Sequence, residues 1–108
     1  MKINQYSVYW TNLDPTVGAE INKTRPCVVI SPIEMNEYLQ TIIIAPVTSR
    51  CRAGYPTRIR MDVNKVGGWI VLDQIRAIDK NRLSQHIGDL GTEETNAVKA
   101  ALKEMLID

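Results

Sequence analysis

A small antiparallel sheet curled into a partial barrel, with one helix at the C-terminus, is the fold class this sequence predicts: mainly β, in the α+β sense. Short runs that are apolar throughout or alternate apolar with polar recur across residues 6–79. Turn signals built from Gly, Pro and clustered polar residues separate them at short, regular intervals. Only the stretch after Gly91 keeps a helical spacing. About five or six short strands closed by a terminal helix satisfy all three observations.

In chain order, Tyr6, Val8 and Trp10 alternate with Ser7, Tyr9 and Thr11, which predicts a first strand over 8–13. A connection follows over 14–26, DPTVGAEINKTRP, bounded by Asp14-Pro15 and Arg25-Pro26. It is far longer than a hairpin needs, and the prolines restrict both exits, so it reads as a working loop between rigid strands. CVVI (27–30) is the next strand, and IEMNEYL supports one or two helical turns. TIIIAPV (41–47) is β-branched and apolar on both faces, a central buried strand whose ladder Pro46 ends, leaving Thr48 and Ser49 just past it. RCRAGYP (50–56) is a basic turn, and TRIRMDV is a strand with Arg58 and Arg60 on its wet face. A turn at 65–68 leads into WIVLD, a buried strand running directly into Gln74, after which QIRAI continues extended. DKNRL is a polar turn, and 84–87 fits no element clearly. Thr92 suits an N-cap and Glu93 and Glu94 the positive helix start, while Ala97, Val98, Ala101, Leu102, Met105 and Leu106 form the apolar stripe. No linker or repeat divides the chain, so residues 1–108 are expected to be a single domain.

Composition excludes several classes. No apolar run approaches membrane-spanning length, and the polar opening MKINQY is not a signal peptide, so cytoplasmic residence is expected. Cys27 and Cys51 lack metal-ligand spacing and are expected as reduced thiols, Cys27 as a buried small hydrophobe. The net charge of +1 conceals an asymmetry. Residues 21–82 carry ten Lys/Arg against five acids, whereas residues 83–108 carry two against five. A basic face of this kind is the footprint of a polyanion partner.

There is no Walker loop, dinucleotide fingerprint, HExxH or GxSxG, and no His/Cys/Asp/Glu cluster at ligand spacing, so no metal or cofactor is expected. The single histidine, His86, excludes paired-imidazole catalysis within one chain and is read as structural. Carboxylate, guanidinium and hydroxyl groups are left. They gather where predicted strands end: Glu20 and Arg25 in the long loop, Thr48 and Ser49 after one strand, Asp73 and Gln74 after another. Each alone suits a capping or solvated role, but three polar pairs at neighbouring strand exits point to one convergent site.

The pieces VYWTNLDPTVGAE…RPCVVISP, PVTS (46–49), YPTRIRM (55–61) and VLDQIRAIDKNRL followed by Ile87-Gly88 resemble, in order and over nearly the whole chain, the MazF/PemK/Kid family of toxin endoribonucleases. The resemblance implies an SH3-like barrel of the CcdB/Kid/MazF kind, a homodimer, and an enzyme that cleaves single-stranded RNA at a short sequence without metal. It also implies neutralisation by a cognate antitoxin. Attack by the 2′-hydroxyl would leave 2′,3′-cyclic phosphate and 5′-hydroxyl ends. On this reading Arg25 faces the phosphate, Thr48 is its hydroxyl partner, and Glu20 is either the general base or the group that orients Arg25. Lys23, Ser49, Arg50, Arg52, Arg58, Asp73, Gln74 and Arg76 fall on the RNA-binding surface. Where the Kid-like branch has an arginine acting with the DQ aspartate, this chain has Val71, so Asp73 is expected to support structure or contact RNA. Two other readings stand beside the ribonuclease. One is a CcdB-like gyrase poison, whose Trp-Gly-Ile tail is missing from Met-Leu-Ile-Asp here; the other is a barrel that only binds.

Overall fold

The computed structural model describes residues 2–50 and 56–107. Seven strands and two helices follow the chain in the order β1 (Ser7–Asn12), β2 (Thr24–Val29), α1 (Ile33–Tyr38), β3 (Thr41–Thr48), β4 (Arg58–Val63), β5 (Val66–Val71), β6 (Arg76–Asp79), β7 (Leu83–Asp89) and α2 (Thr92–Leu106). The sheet runs β4-β5-β3-β2-β1-β7, every pairing is antiparallel, and β6 adds to β3. The expected partial barrel with a terminal helix is therefore the fold. The unclear stretch 84–87 lies within β7, which pairs with β1.

Strand β3 organises the rest. Ile44, Ala45 and Pro46 pair with β2, Thr41 to Ile44 pair with β6, and Val47 and Thr48 pair with β5. Pro46 does not end this strand, contrary to the sequence reading. Having no N–H to donate, it stands where β3 leaves β2 and takes β5 as its neighbour, a point where an interrupted ladder costs no donor. Between β5 and β6 the chain makes one 3-10 turn, Leu72–Gln74. Asp73 and Gln74 thus sit on that turn, and not on a strand extending through Asp73.

Alternation along the strands makes two apolar clusters, one per face of the sheet. Val8, Val28, Ala45, Val47, Met61, Ile70 and Leu72 pack with Val98 and Ala101 of α2. Tyr9, Leu13, Cys27, Val29, Ile42, Ile44 and Ile78 form the other. Burial pushes the Cys27 thiol up to about 12, so this cysteine is packing and not a nucleophile. Leu106, expected on the apolar stripe of α2, is exposed instead, as the last helical residue beyond the sheet.

The open seam between the outer strands β4 and β7 is tied by side chains: Asn64 Nδ2 donates to the Ile87 carbonyl at 2.6 Å. Glu94 locks α2 to the same place. Its carboxylate accepts from the N–H of Gly91 at 2.9 Å and from that of Asp62 at 2.8 Å. Gly91, not Thr92, is the N-cap, because the Glu94 carboxylate supplies the cap from within the helix. The β4–β5 turn is Asn64-Lys65, both at positive φ, and Gly67 and Gly68 belong to β5 instead of to the expected turn at 65–68. Gly68 is required by close approach: a Cβ there would lie 2.6 Å from the Thr48 carbonyl oxygen and 2.8 Å from Val47 Cγ1.

His86 has a structural place, stacked on Tyr9 at 4.8 Å and 3.1 Å from Asp89 Oδ1. Ser7 Oγ donates to the same oxygen at 2.6 Å. The Ser7 hydrogen bond, offset by burial and helped by His86, holds Asp89 below the usual carboxylate range. Among the described residues no helix is long and apolar enough to cross a membrane.

Two outcomes follow from these contacts. Gly68→Ala should cost ~2–3 kcal/mol, because overpacking here is against backbone, read as a fall in the denaturant midpoint. A wild-type midpoint would mean that β3 and β5 can separate freely. Asp89, with its folded pKa depressed, contributes stability above the unfolded carboxylate value, and that share is lost as pH falls through the folded one. Asp89→Asn should therefore narrow the wild-type loss of Tm on acidification below about pH 4; parallel Tm-against-pH curves would rule out the Ser7–Asp89–His86 contacts as the cause.

Candidate active site

Strands β2 and β3 are last paired at Cys27 and Pro46. Two residues further along each, on the same sides of their strands as Cys27 and Pro46, stand Arg25 and Thr48. The fork therefore carries the guanidinium on one arm and the hydroxyl on the other. Arg25 is a strand residue, since β2 begins at Thr24, and the true connection is shorter than 14–26. Its ladder with β1 matches Thr11 to Arg25 and Trp10 to Pro26.

The loop between β1 and β2 is ordered by its own polar groups. Asp14 Oδ1 accepts from the Lys23 N–H at 3.2 Å, and the Leu13 N–H donates to the Lys23 carbonyl at 2.9 Å. Gln74 Oε1 accepts from the Ile21 N–H at 2.8 Å, and Arg76 Nη1 donates to the Leu13 carbonyl at 3.1 Å. The DQ-x-R stretch is thus the buttress of the loop. Gln74 and Arg76 were expected on the RNA surface; both first hold the loop that carries Glu20.

Glu20 does not orient Arg25. Its Oε1 accepts from the Val17 N–H at 2.5 Å, closing a turn around Gly18, while Arg25 Nε donates to the Asn22 carbonyl at 3.2 Å. Among the described residues no carboxylate pairs with Arg25. Thr48 Oγ1 accepts from the Arg50 N–H at 3.2 Å, which leaves its own O–H proton to donate.

Two clefts flank the fork. The larger, of about 440 Å³, has Trp10, Pro26, Val47 and Val66 among its apolar walls and Lys23, Arg25, Lys65 and Ser49 among its polar ones. The smaller, of about 240 Å³, is lined by Glu20, Asp73, Gln74 and Arg76 with Ile21, Pro46 and Ile75. The two clefts share no lining residue: Val47 lines the larger and Pro46 the smaller. The three predicted polar pairs therefore do not fill a single pocket. Arg25 and Ser49 share one cleft, Glu20, Asp73 and Gln74 share the other, and Thr48 stands on the fork between them.

Asp73 has the arginine that Val71 denies it in sequence. Arg58 lies directly opposite Val71 in the β4–β5 ladder, and its Nη2 reaches Asp73 Oδ2 at 3.3 Å. Thr57 Oγ1 adds a bond to Asp73 Oδ1 at 3.0 Å. Burial raises the Asp73 carboxyl, but the hydrogen bonds from Arg58, Thr57 and its own backbone outweigh that and hold it below the usual range. It is a fixed anion and not a proton carrier near neutrality. Arg50 is exposed at the start of the loop after β3; Arg52, Cys51 and most of the basic turn 50–56 lie outside the described residues. Sequence reasoning missed Lys65 and Trp10 as cleft residues. The sequence reading placed Lys65 only in a turn and Trp10 only in the first strand's alternation, with no site role for either.

The family described as PemK-like, MazF-like toxin of type II toxin–antitoxin system matches residues 4–106. The endoribonuclease EndoA of Bacillus subtilis is 35% identical over 108 residues, covering 95% of this chain and 93% of that protein. The endoribonuclease MazF of Staphylococcus saprophyticus is 34% identical over 100 residues, covering 88% and 83%. The crystal structure of MazF (Form-I) from Deinococcus radiodurans superposes with a TM-score of 0.87 at 26% identity, covering 98% of this chain and 97% of that one. A mycobacterial endoribonuclease in complex with its cognate antitoxin shares the fold, with a TM-score of 0.81 at 20% identity and coverage of 96% and 94%. With a family match across residues 4–106 and two relatives above one-third identity, this chain belongs to the PemK-like, MazF-like toxins of type II toxin–antitoxin systems.

Proposed function

We propose that the chain is an endoribonuclease toxin that cuts single-stranded RNA at a short sequence, without metal, and is silenced by a cognate antitoxin. The observation that carries the reading is the β2–β3 fork, which sets Arg25 and the donating hydroxyl of Thr48 beside a cationic cleft in a chain of this family. Two relatives bear the name endoribonuclease, and a protein of the same fold has been solved with its antitoxin.

In the proposed reaction the 2′-oxygen bonds to phosphorus as the bond to the 5′-oxygen breaks. The 2′ proton passes to a base, and the departing oxygen is protonated, leaving 2′,3′-cyclic phosphate and 5′-hydroxyl ends. Arg25 offers a planar fork of donors to the non-bridging oxygens, and Thr48 adds its hydroxyl proton. Glu20 is the proposed base, acting through Oε2 because Oε1 is held by the Val17 N–H. Lys23, Ser49 and Arg50, with Arg52 beyond the described residues, form the RNA-binding rim on one side. Gln74, Arg76 and the Arg58–Asp73 pair form it on the other. The protein works as a cytoplasmic homodimer, and an acidic antitoxin segment competes for the same cationic rim.

Arg25→Ala and Thr48→Ala should each lower single-turnover RNA cleavage by at least ~100-fold with an unchanged Tm. End-mapping of the wild-type products should show cyclic phosphate and 5′-hydroxyl termini. A folded Arg25→Ala protein that still cuts at the wild-type rate would remove Arg25 from the site. Cleavage should also persist in EDTA; activity lost to the chelator and restored by Mg²⁺ would replace the guanidinium mechanism with a metal-assisted one.

A further inference from the structure

We propose that Lys65, on the tip of the β4–β5 hairpin, is a phosphate-binding residue that works with Lys23 as a clamp on the RNA backbone across the larger cleft. The inference rests on the ribonucleolytic reading and extends its footprint to an element that the site residues above do not include. Among the described residues, four other than glycine hold positive φ: Tyr6, Lys23, Asn64 and Lys65. Two of the four are the lysines of this cleft. Side chains rarely adopt that backbone, and where they persist the surroundings must enforce it.

Both lysines are enforced. At Lys23 (φ 67°) the Asp14 carboxylate and the Leu13 N–H fix the N–H and carbonyl on either side of the residue. Lys65 (φ 68°) is the second residue of a two-residue hairpin turn, bracketed by the Val63–Val66 pair. That position ordinarily takes glycine after asparagine. This chain keeps the asparagine, whose Nδ2 is used on the Ile87 carbonyl, and places lysine where glycine would fit without strain. The cleft beneath has Arg25 as a third cation and no carboxylate among its lining residues. Its apolar floor includes the Trp10 ring and Pro26, flat surfaces of the kind on which an unpaired base stacks. Cations at the rim over such a floor suit a nucleotide chain better than an acidic peptide, which brings carboxylates but no flat face.

The test uses Lys65→Gly, which relieves the backbone and so should raise Tm by a few degrees. A loss of binding in this variant is therefore not a loss of fold. Affinity for a non-cleavable 2′-O-methyl RNA oligonucleotide is measured against salt, with cleavage kinetics on the matching RNA. Each phosphate contact removed from a single strand should flatten the slope of log K against log salt by about 0.7. Lys65→Gly and Lys23→Gly should each do so, the double variant by about 1.4, and the cleavage defect should fall mainly on KM. A protein that cuts RNA normally but shows the wild-type slope in Lys65→Gly overturns the clamp and leaves the ribonuclease standing. Flattened binding slopes in a protein that cuts no RNA would keep the clamp and sink the ribonuclease. If the slope change is confined to a polyglutamate probe, the cleft is a peptide site and the inference falls.

Discussion

Two prolines stand where β2 and β3 cease to be partners, and neither can donate a backbone hydrogen bond. Pro26 lies one residue beyond the last pair on β2, and Pro46 belongs to that pair on β3. An ordinary pair of strands would continue to zip, since each further pair satisfies a donor and an acceptor. Here β3 turns to β5 while β2 stays with β1, and the opening between them is filled by side chains and not by ladder. The proposed site residues are arranged about that parting. Arg25 and Thr48 are its arms, and the two clefts are its sides. The tight packing of β5 on β3 at Gly68, with no room for a methyl group, keeps the arm that bears Thr48 in place.

The second constraint is that a loop beside the fork must be stiff without being part of the sheet. Its polar ties come from distant sequence: Gln74 to Ile21, Arg76 to Leu13, and Arg82 Nη1 to the Asp14 carbonyl at 2.6 Å. Each is a side chain satisfying a backbone group that no strand partner serves. The polar residues of the DQ-x-R stretch are therefore explained by construction before any contact with RNA is invoked. That ordering matters, because loss of activity on changing Gln74 or Arg76 would follow from a displaced loop as readily as from a lost RNA contact.

Much of this was legible in the residues. The period-two runs gave the strands, the β-branched TIIIAPV gave the central one, and the strand ends that carry polar groups lie along the two clefts beside the fork. The errors have a common cause, in that sequence spacing does not show which edge of a strand is in use. Pro46 reads as a terminator unless it is known that β3 exchanges β2 for β5 there. Gly67-Gly68 reads as a turn unless the Thr48 carbonyl pressing on residue 68 is in view. The stretch 84–87 has no clear pattern because β7 is mostly exposed and its pairing with β1 is irregular. The Arg58–Asp73 pair spans fifteen residues and exists only because the hairpin register sets Arg58 against Val71.

That pair also shows how a positive charge can reach Asp73 from outside its own strand. An arginine at position 71 would reach an aspartate two residues on from the same strand. With valine there, the same charge arrives from the facing position of β4, and Val71 is free to be wholly buried. The exchange has a geometric consequence. Arg58 holds Asp73 with two nitrogens, Nε to Oδ1 and Nη2 to Oδ2, both at 3.3 Å. A carboxylate gripped at both oxygens is poorly placed to accept a proton, so proton transfer at this site has to rest with other groups. Asp73 then contributes a fixed negative wall opposite the cationic cleft. An RNA strand at the fork would have its phosphates drawn to the Lys23–Arg25–Lys65 rim and away from Asp73, an orientation imposed by charge before any base is read.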